Sequence, residues 1–145
     1  MADFDSRIDT AIDEFIRWAT PGQFFARHAV VDTEVGETTV KADEKLALFC
    51  CSAHRDAAVF DAPHEFRLDR TPKNHLGFGS GGTHFCLGSQ LARMEQRSLF
   101  FDMQTRLPTV ALGTREYSSS STLHGIKRMS NRRADRRGRL ATRSK

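Results

Sequence analysis

The residues with the clearest chemical potential lie in one stretch, Phe78-Gly79-Ser80-Gly81-Gly82-Thr83-His84-Phe85-Cys86-Leu87-Gly88. From Gly77 to Gly88, five of twelve residues are glycine, the composition of a loop that adopts positive φ or lets another group approach its backbone. Apolar residues at helical spacing begin at Leu87, which places Cys86 at a helix N-terminus. There the positive end of the helix dipole and unpaired N–H groups push a thiol toward thiolate. Flanking glycines leave room for a flat ligand and free amides to donate to the sulfur. A thiolate held in this way is a good axial ligand for haem iron, and the electron density it donates favours O–O cleavage. The plainer alternative is a small buried hydrophobe, the usual state of a free cysteine.

Other patterns carry less. Gly77-Phe78-Gly79-Ser80-Gly81-Gly82 satisfies G-x-G-x-x-G, and Asp102 lies twenty residues after Gly82. A dinucleotide site needs an apolar strand before the glycines and a helix directly after them. Thr71-Pro72-Lys73-Asn74-His75 is no such strand, and the helix starts several residues late. Cys50, Cys51, His54, His84 and Cys86 could be gathered around zinc, but the short C-x₂₋₄-C pairing is missing. Cys50 and Cys51 read as core or partly exposed thiols. Glu14 and Arg17 read locally as a solvated i,i+3 ion pair worth about 0.2–0.5 kcal/mol.

The elements that must position these groups follow from periodicity. Phe4, Ile8, Ala11, Ile12, Phe15, Ile16 and Ala19 predict a first helix, with Asp3 or Asp5 as its N-cap and Thr20-Pro21-Gly22 as its stop. Phe24–Val31 and Thr38–Lys41 read as strands of a hairpin broken at Gly36. Lys45–Cys51 is a strand or a buried helical turn, and Ser52–Lys73 an ordered, irregular stretch with room for one short helix. A second helix is predicted from Leu87 to Arg106, ended by Leu107-Pro108. It carries two apolar stripes, Leu87/Leu91/Met94/Phe101 and Ala92/Leu99/Met103/Leu107, the pattern of a helix sandwiched inside a larger body. Val110–Leu112 and Thr122–Met129 read as strands around the Ser118–Ser121 run, and no internal repeat is present.

The chain has 145 residues, 39% apolar and 28% charged, which suits one globular domain and excludes a collagen-like or fully disordered protein. No stretch approaches the roughly 20 apolar residues of a spanning helix. The acidic start Met1-Ala2-Asp3-Phe4-Asp5 is unlike a targeting signal, and three cysteines make no disulfide framework, so the expected location is cytoplasmic. The formal charge of +4 conceals two regions: residues 126–145 hold nine Lys/Arg against Asp135, a net +8, and residues 1–125 carry −4. Neither a nucleic-acid partner nor a membrane is therefore expected for the body of the chain. Residues 131–145 are read as a basic, disordered tail, a solvated extension without aromatic interleaving.

The cysteine run resembles the ligand loop of the cytochrome P-450 superfamily, the haem-thiolate monooxygenases, and further landmarks occur in order. Glu14-Phe15-Ile16-Arg17 resembles the Glu-x-x-Arg of that family's K helix. Arg27, with Asp32 five residues on, resembles the arginine that reaches a haem propionate. Ser52-Ala53-His54-Arg55-Asp56, Val59-Phe60, Pro63 and Phe66 look like the approach to the meander, and Gly125-Ile126-Lys127-Arg128-Met129 like the C-terminal strand of actinobacterial members. The resemblance implies the C-terminal part of the fold, from the K helix onward. That means residues 1–130 of mixed α and β, mainly α, with short antiparallel strands. It also implies haem (iron protoporphyrin) with Cys86 as the iron ligand, Arg27 and His84 on the propionates, Phe78 near the thiolate, and Gly82 and Gly88 giving room. Glu14 and Arg17 would be structural. A ferredoxin-like electron donor and an apolar small-molecule substrate are implied too; the long glycine loop and the Gly-Ile-Lys-Arg ending resemble members that oxidise sterols or branched lipids.

Three departures from the family pattern matter. Phe78 stands eight residues before Cys86, one more than in the commonest signature. Glu65 replaces the usual meander arginine, leaving Arg67, Arg70 or His64 to complete the Glu14–Arg17 cluster. Finally, the resemblance begins at the K helix, so no residue corresponds to the distal helix that handles protons and bound oxygen. The expectation is a monooxygenase part that is inactive and marginally stable alone; the alternative is a non-catalytic remnant or a haem- or protein-binding fragment.

Overall fold

A computed structural model of the chain describes residues 4–71, 74–106 and 110–133. Helix α1 (Phe4–Ala19) follows the predicted periodicity and buries Ile8, Ala11, Ile12 and Ile16. It ends as expected at Thr20, whose amide still reaches Ile16 O (3.0 Å) while its φ turns to +41°.

Strands β1 (Phe24–His28), β2 (Thr33–Val35), β3 (Thr38–Val40) and β4 (Lys45–Phe49) make two separate antiparallel pairs. The hairpin around Gly36 joins β2 to β3, whereas β1 pairs with β4, Phe24 opposite Phe49. Phe24–Val31 is therefore not one strand. The chain turns after His28 because buried Ala29 exchanges backbone bonds with Glu44 and Asp43 (3.0 and 2.8 Å), closing the β1–β4 ladder. Lys45–Cys51 divides between its two readings, since Cys50–Ala53 forms a single turn of helix, α2.

Helix α3 (Ser89–Arg106) starts two residues later than the Leu87 reading. Gly88 O accepts the first helical bond from Ala92 N (2.9 Å), which makes Gly88 the N-cap. Most of both predicted apolar stripes stays uncovered, as expected of a helix made to be sandwiched in a larger body. The contact with α1 runs through Arg93, Arg97 and Phe100: the arginines pair with Asp13 (3.1 Å) and Asp9 (2.7 Å), and Phe100 stacks on Phe15 (4.8 Å). Phe100 and Phe78 pack against the Ile8/Ile12/Ile16 cluster. Leu91, Met94, Leu99, Phe101 and Met103 remain exposed.

Strands β5 (Val110–Tyr117) and β6 (Ile126–Arg133) form a third antiparallel pair, longer than Val110–Leu112 and displaced from Thr122–Met129. Leu123 makes only an isolated bridge to Gly22. β6 runs three residues beyond the boundary placed after residue 130, because Asn131–Arg133 pair through backbone with Leu112–Val110 whatever their charge. Residues 134–145, the rest of the expected tail, lie outside the described residues, as do Asp3, Lys73 and Leu107-Pro108. The architecture is mixed α and β, with two long helices around the core and short antiparallel pairs beside it. Among the described residues no helix is long and apolar enough to cross a membrane.

Candidate functional site

Glu14 and Arg17 project from α1, and the chain from His54 to Arg70 wraps over them. They are 2% and 1% exposed, so the locally solvated pair is not what forms. Glu14 accepts from Arg17 Nε and Nη2 (both 2.7 Å), from the Arg67 amide (2.8 Å) and from Arg70 Nε (3.1 Å). Arg17 donates onward to the carbonyls of His54 (2.7 Å), Pro63 (3.0 Å) and Glu65 (3.0 Å). Arg70 donates to those of Asp61, Ala62 (3.1 Å) and Glu65 (2.9 Å). Of His64, Arg67 and Arg70, it is Arg70 whose side chain completes the cluster; the Arg67 guanidinium turns to Asp61 (3.0 Å). Glu65 takes part through its carbonyl alone, which explains how it can stand where an arginine was expected. Burial pushes the Glu14 carboxyl up, but the Arg17 and Arg67 hydrogen bonds and the two guanidinium charges outweigh it and hold the group below its ordinary value.

The glycine loop is fastened to this core at its start. A Cβ on Gly77 would overlap Ile16 Cγ2, so only glycine allows the approach. The Phe78 ring lies on the isoleucine cluster with the Arg93 guanidinium 4.7 Å above it. Its carbonyl accepts from Cys86 N (2.9 Å), which closes the eight-residue spacing across the loop. Gly79 and Gly82 adopt φ of +86° and +92°, conformations that favour glycine.

Beyond Phe78 the loop borders an open cleft of about 330 Å³. Arg27 from β1, Gly82 and His84 all line it, together with Phe25, Leu48 and Leu76. Arg27 Nη1 donates to Ala26 O (2.9 Å), while Asp32 is engaged by Lys41 (2.8 Å) and the Ala42 amide (2.9 Å). Cys86 is not among the cleft-lining residues. It sits exposed in the turn before α3, its carbonyl accepting from Ser89 N (3.1 Å), and therefore precedes the helical amides instead of opening the helix. A Cβ on Gly88 would stand 4.0 Å from the Cys86 sulfur, and Leu87 beside it is fully exposed. Phe78 holds the loop on its inner side, toward α1. Open glycine backbone, an apolar wall of Phe25 and Leu48, and a cation and an imidazole on the same cleft suit a flat, largely apolar group with an anionic edge, with the exposed Cys86 sulfur following along the same loop. The residues present thus fit one face of a haem.

Cys50, Cys51, His54, His84 and Cys86 are not assembled: among the described residues no three His, Cys, Asp or Glu side chains stand together as a metal site. Asn74–Leu76 form no strand before the G-x-G-x-x-G run, and Asp102 pairs with Arg106 (3.4 Å). Asp13, His75 and Arg93 have no expected role in the sequence, and His54 only a place in the meander approach and in the zinc alternative. His54 is fully buried, with Thr20 and Leu76 on its two ring nitrogens, while His75 and Arg93 share Asp13.

Comparison with known proteins gives one consistent answer. The cytochrome P-450 family matches residues 8–103. The chain is 43% identical over 128 residues to a methyl-branched lipid omega-hydroxylase of Mycobacterium bovis, covering 87% of this chain and 30% of that protein. A steroid C26-monooxygenase of Mycolicibacterium smegmatis is 39% identical over 122 residues, covering 83% and 29%. Among solved structures, a Mycobacterium marinum cytochrome P-450 in complex with pseudoionone superposes with a TM-score of 0.86 at 42% identity, over 90% of this chain and 31% of that one. The chain spans about 30% of the length of the curated relatives it matches. A family match across most of the described core, with helices and strand pairs that superpose on solved members, establishes that this chain belongs to the cytochrome P-450 family.

Proposed function

We propose that Cys86 is the axial thiolate of a haem and that this chain forms the cysteine-side wall of a monooxygenase acting on an apolar, lipid-class substrate. The observation that carries the reading is the convergence of Arg27, Gly82 and His84 on one cleft along the loop that ends at Cys86. Arg27 offers a guanidinium and His84 a ring N–H, so both suit propionate carboxylates at the edge of the group. Gly82 and Gly88 keep side chains out of its way. Phe78, pinned by Arg93 and the isoleucines, holds the loop's origin while its carbonyl orients the Cys86 amide. Glu14, Arg17 and Arg70 tie α1 to the chain over it, a supporting role. When bound, a thiolate-ligated haem supplies oxygen activation for hydroxylation, driven by electrons from a ferredoxin-like donor.

The substrate class is supported by the relatives, described as a methyl-branched lipid omega-hydroxylase and steroid C26-monooxygenases. Oxygen chemistry also needs a distal wall and a general acid within reach of the reacting atoms. The resemblance assigns neither to a residue of this chain, so these 145 residues alone are expected not to turn over. The reading is tested by expressing the chain with a haem supply, reducing it under carbon monoxide and recording the Soret region. A thiolate-type band that Cys86→Ala removes is the expected result. A band that survives Cys86→Ala, or no haem retained by the parent chain, would overturn it and leave a remnant without cofactor.

A further inference from the structure

Two successive amides at the start of the glycine loop end on two different imidazoles. Leu76 N donates to His54 Nε2 (2.9 Å), and Gly77 N donates to His75 Nδ1 (3.1 Å). A ring nitrogen that accepts carries no proton, which fixes each ring's tautomer. His54 therefore bears its hydrogen on Nδ1, 2.8 Å from Thr20 Oγ1, whose own hydroxyl donates to Arg17 O (2.8 Å). His75 bears its hydrogen on Nε2, 3.2 Å from Asp13 Oδ1. The first ring thus ties the loop to the C-terminal end of α1 and the second ties it to the helix's middle. Both rings are buried, and they meet edge to face at 6.1 Å. From there the fastening passes along the loop: Leu76 O accepts from Gly79 N, and Phe78 O from Cys86 N (both 2.9 Å).

We propose that His54 and His75 are positioning residues that, as neutral imidazoles of opposite tautomer, clamp the start of the cysteine loop to α1. The clamp rests on the Cys86 reading only for its consequence for haem. A proton on either ring would convert its accepting nitrogen to a donor and set it against a backbone N–H. The groups facing His54 are Arg17 from α1, Arg55 from the chain after α2 and His75 itself. Those facing His75 are Asp13 from α1 and His54, with Arg93 of α3 sharing the Asp13 carboxylate. Burial first, then His75, Arg55 and the Arg17 charge, push His54 down to about 4, outweighing the Arg17 backbone hydrogen bond that favours its charged form.

The test uses the full chain labelled with ¹⁵N. Long-range ¹⁵N–¹H spectra read the tautomers directly, and amide hydrogen exchange reads the clamp. The expected result at pH 7 is Nδ1–H at His54 and Nε2–H at His75. His54→Ala should speed exchange at Leu76 by about tenfold while α1 amides change less than about twofold, the mark of a local opening. His54→Asn keeps a donor and an acceptor that do not titrate, and should bring Leu76 to within about threefold of the parent. An Nε2–H tautomer at His54, uniform loss of protection across α1, or no rescue by Asn would overturn the proposal. Cys86→Ala separates the two readings: it should remove the haem band and leave tautomers and exchange unchanged. If it altered the tautomers, the clamp as described would be wrong.

Discussion

Glu14→Gln removes one negative charge from the buried cluster and keeps the shape of the side chain. Glu14 is 2% exposed and is the carboxylate on which Arg17 and Arg70 converge, at 2.7 and 3.1 Å. Without it two buried guanidiniums face a neutral amide, and breaking a buried pair in this way costs about 3–5 kcal/mol. A solvated i,i+3 pair would cost about 0.2–0.5 kcal/mol. Domains of this kind are stable by about 5–15 kcal/mol, so the first figure is a large share of the total and the second is barely measurable. With a urea m-value of about 2 kcal/mol/M, the midpoint should fall by about 1.5–2.5 M, or the variant should be unfolded without denaturant. Equilibrium urea unfolding at pH 7, followed by circular dichroism, decides between them. A fall of less than about 0.5 M would refute the argument that burial makes this cluster matter. The pH dependence has a definite sign as well. Because the folded carboxyl lies below its ordinary value, the unfolded chain binds more protons in acid, and the stabilisation is present above that ordinary value and lost as pH falls through the folded one. Glu14→Gln should lack that acid limb.

Other substitutions probe the same framework. His54 stays neutral down to about pH 4 when folded, against about 6.5 when unfolded, so its contribution is complete above pH 6.5 and erodes as pH falls. Between pH 6.5 and 5 the parent should lose roughly 1.5 kcal/mol that His54→Asn does not, measured as urea midpoints at the two pH values. Gly77→Ala should destabilise by about 1–3 kcal/mol in the same assay, since its methyl group would overlap Ile16. Glu65→Ala should stay within about 0.5 kcal/mol of the parent, because only the Glu65 carbonyl serves Arg17 and Arg70.

The sequence was most readable where structure is local. The α1 stripe of Ile8, Ile12 and Ile16, its stop at Thr20-Pro21, and a glycine loop leading into a long helix follow from spacing and from backbone chemistry within a few residues. The face by which the helix around Phe100 meets α1 was not legible for the same reason: Arg93, Arg97 and Phe100 form a row that looks polar until Asp9 and Asp13 of α1 are placed opposite. Nor could spacing choose Arg70 over Arg67 and His64, because the choice depends on how the chain from His54 to Arg70 folds back over Glu14.

The kinds of group that this protein brings to bear were thus written in the chain: a cysteine behind glycines, an acid and a base three residues apart on a helix, an arginine and a histidine of the right character for an anionic edge. Their types and order are one-dimensional facts, and they sufficed for the family. Which of them are buried, which share a cleft, and which imidazole nitrogen meets which amide were decided only when segments more than twenty residues apart came together. Burial is a property of what covers a residue, and that cover comes from elsewhere in the chain. A lone Glu14–Arg17 pair in water is worth a fraction of a kilocalorie; the same pair beneath the chain from His54 to Arg70 holds several elements in place.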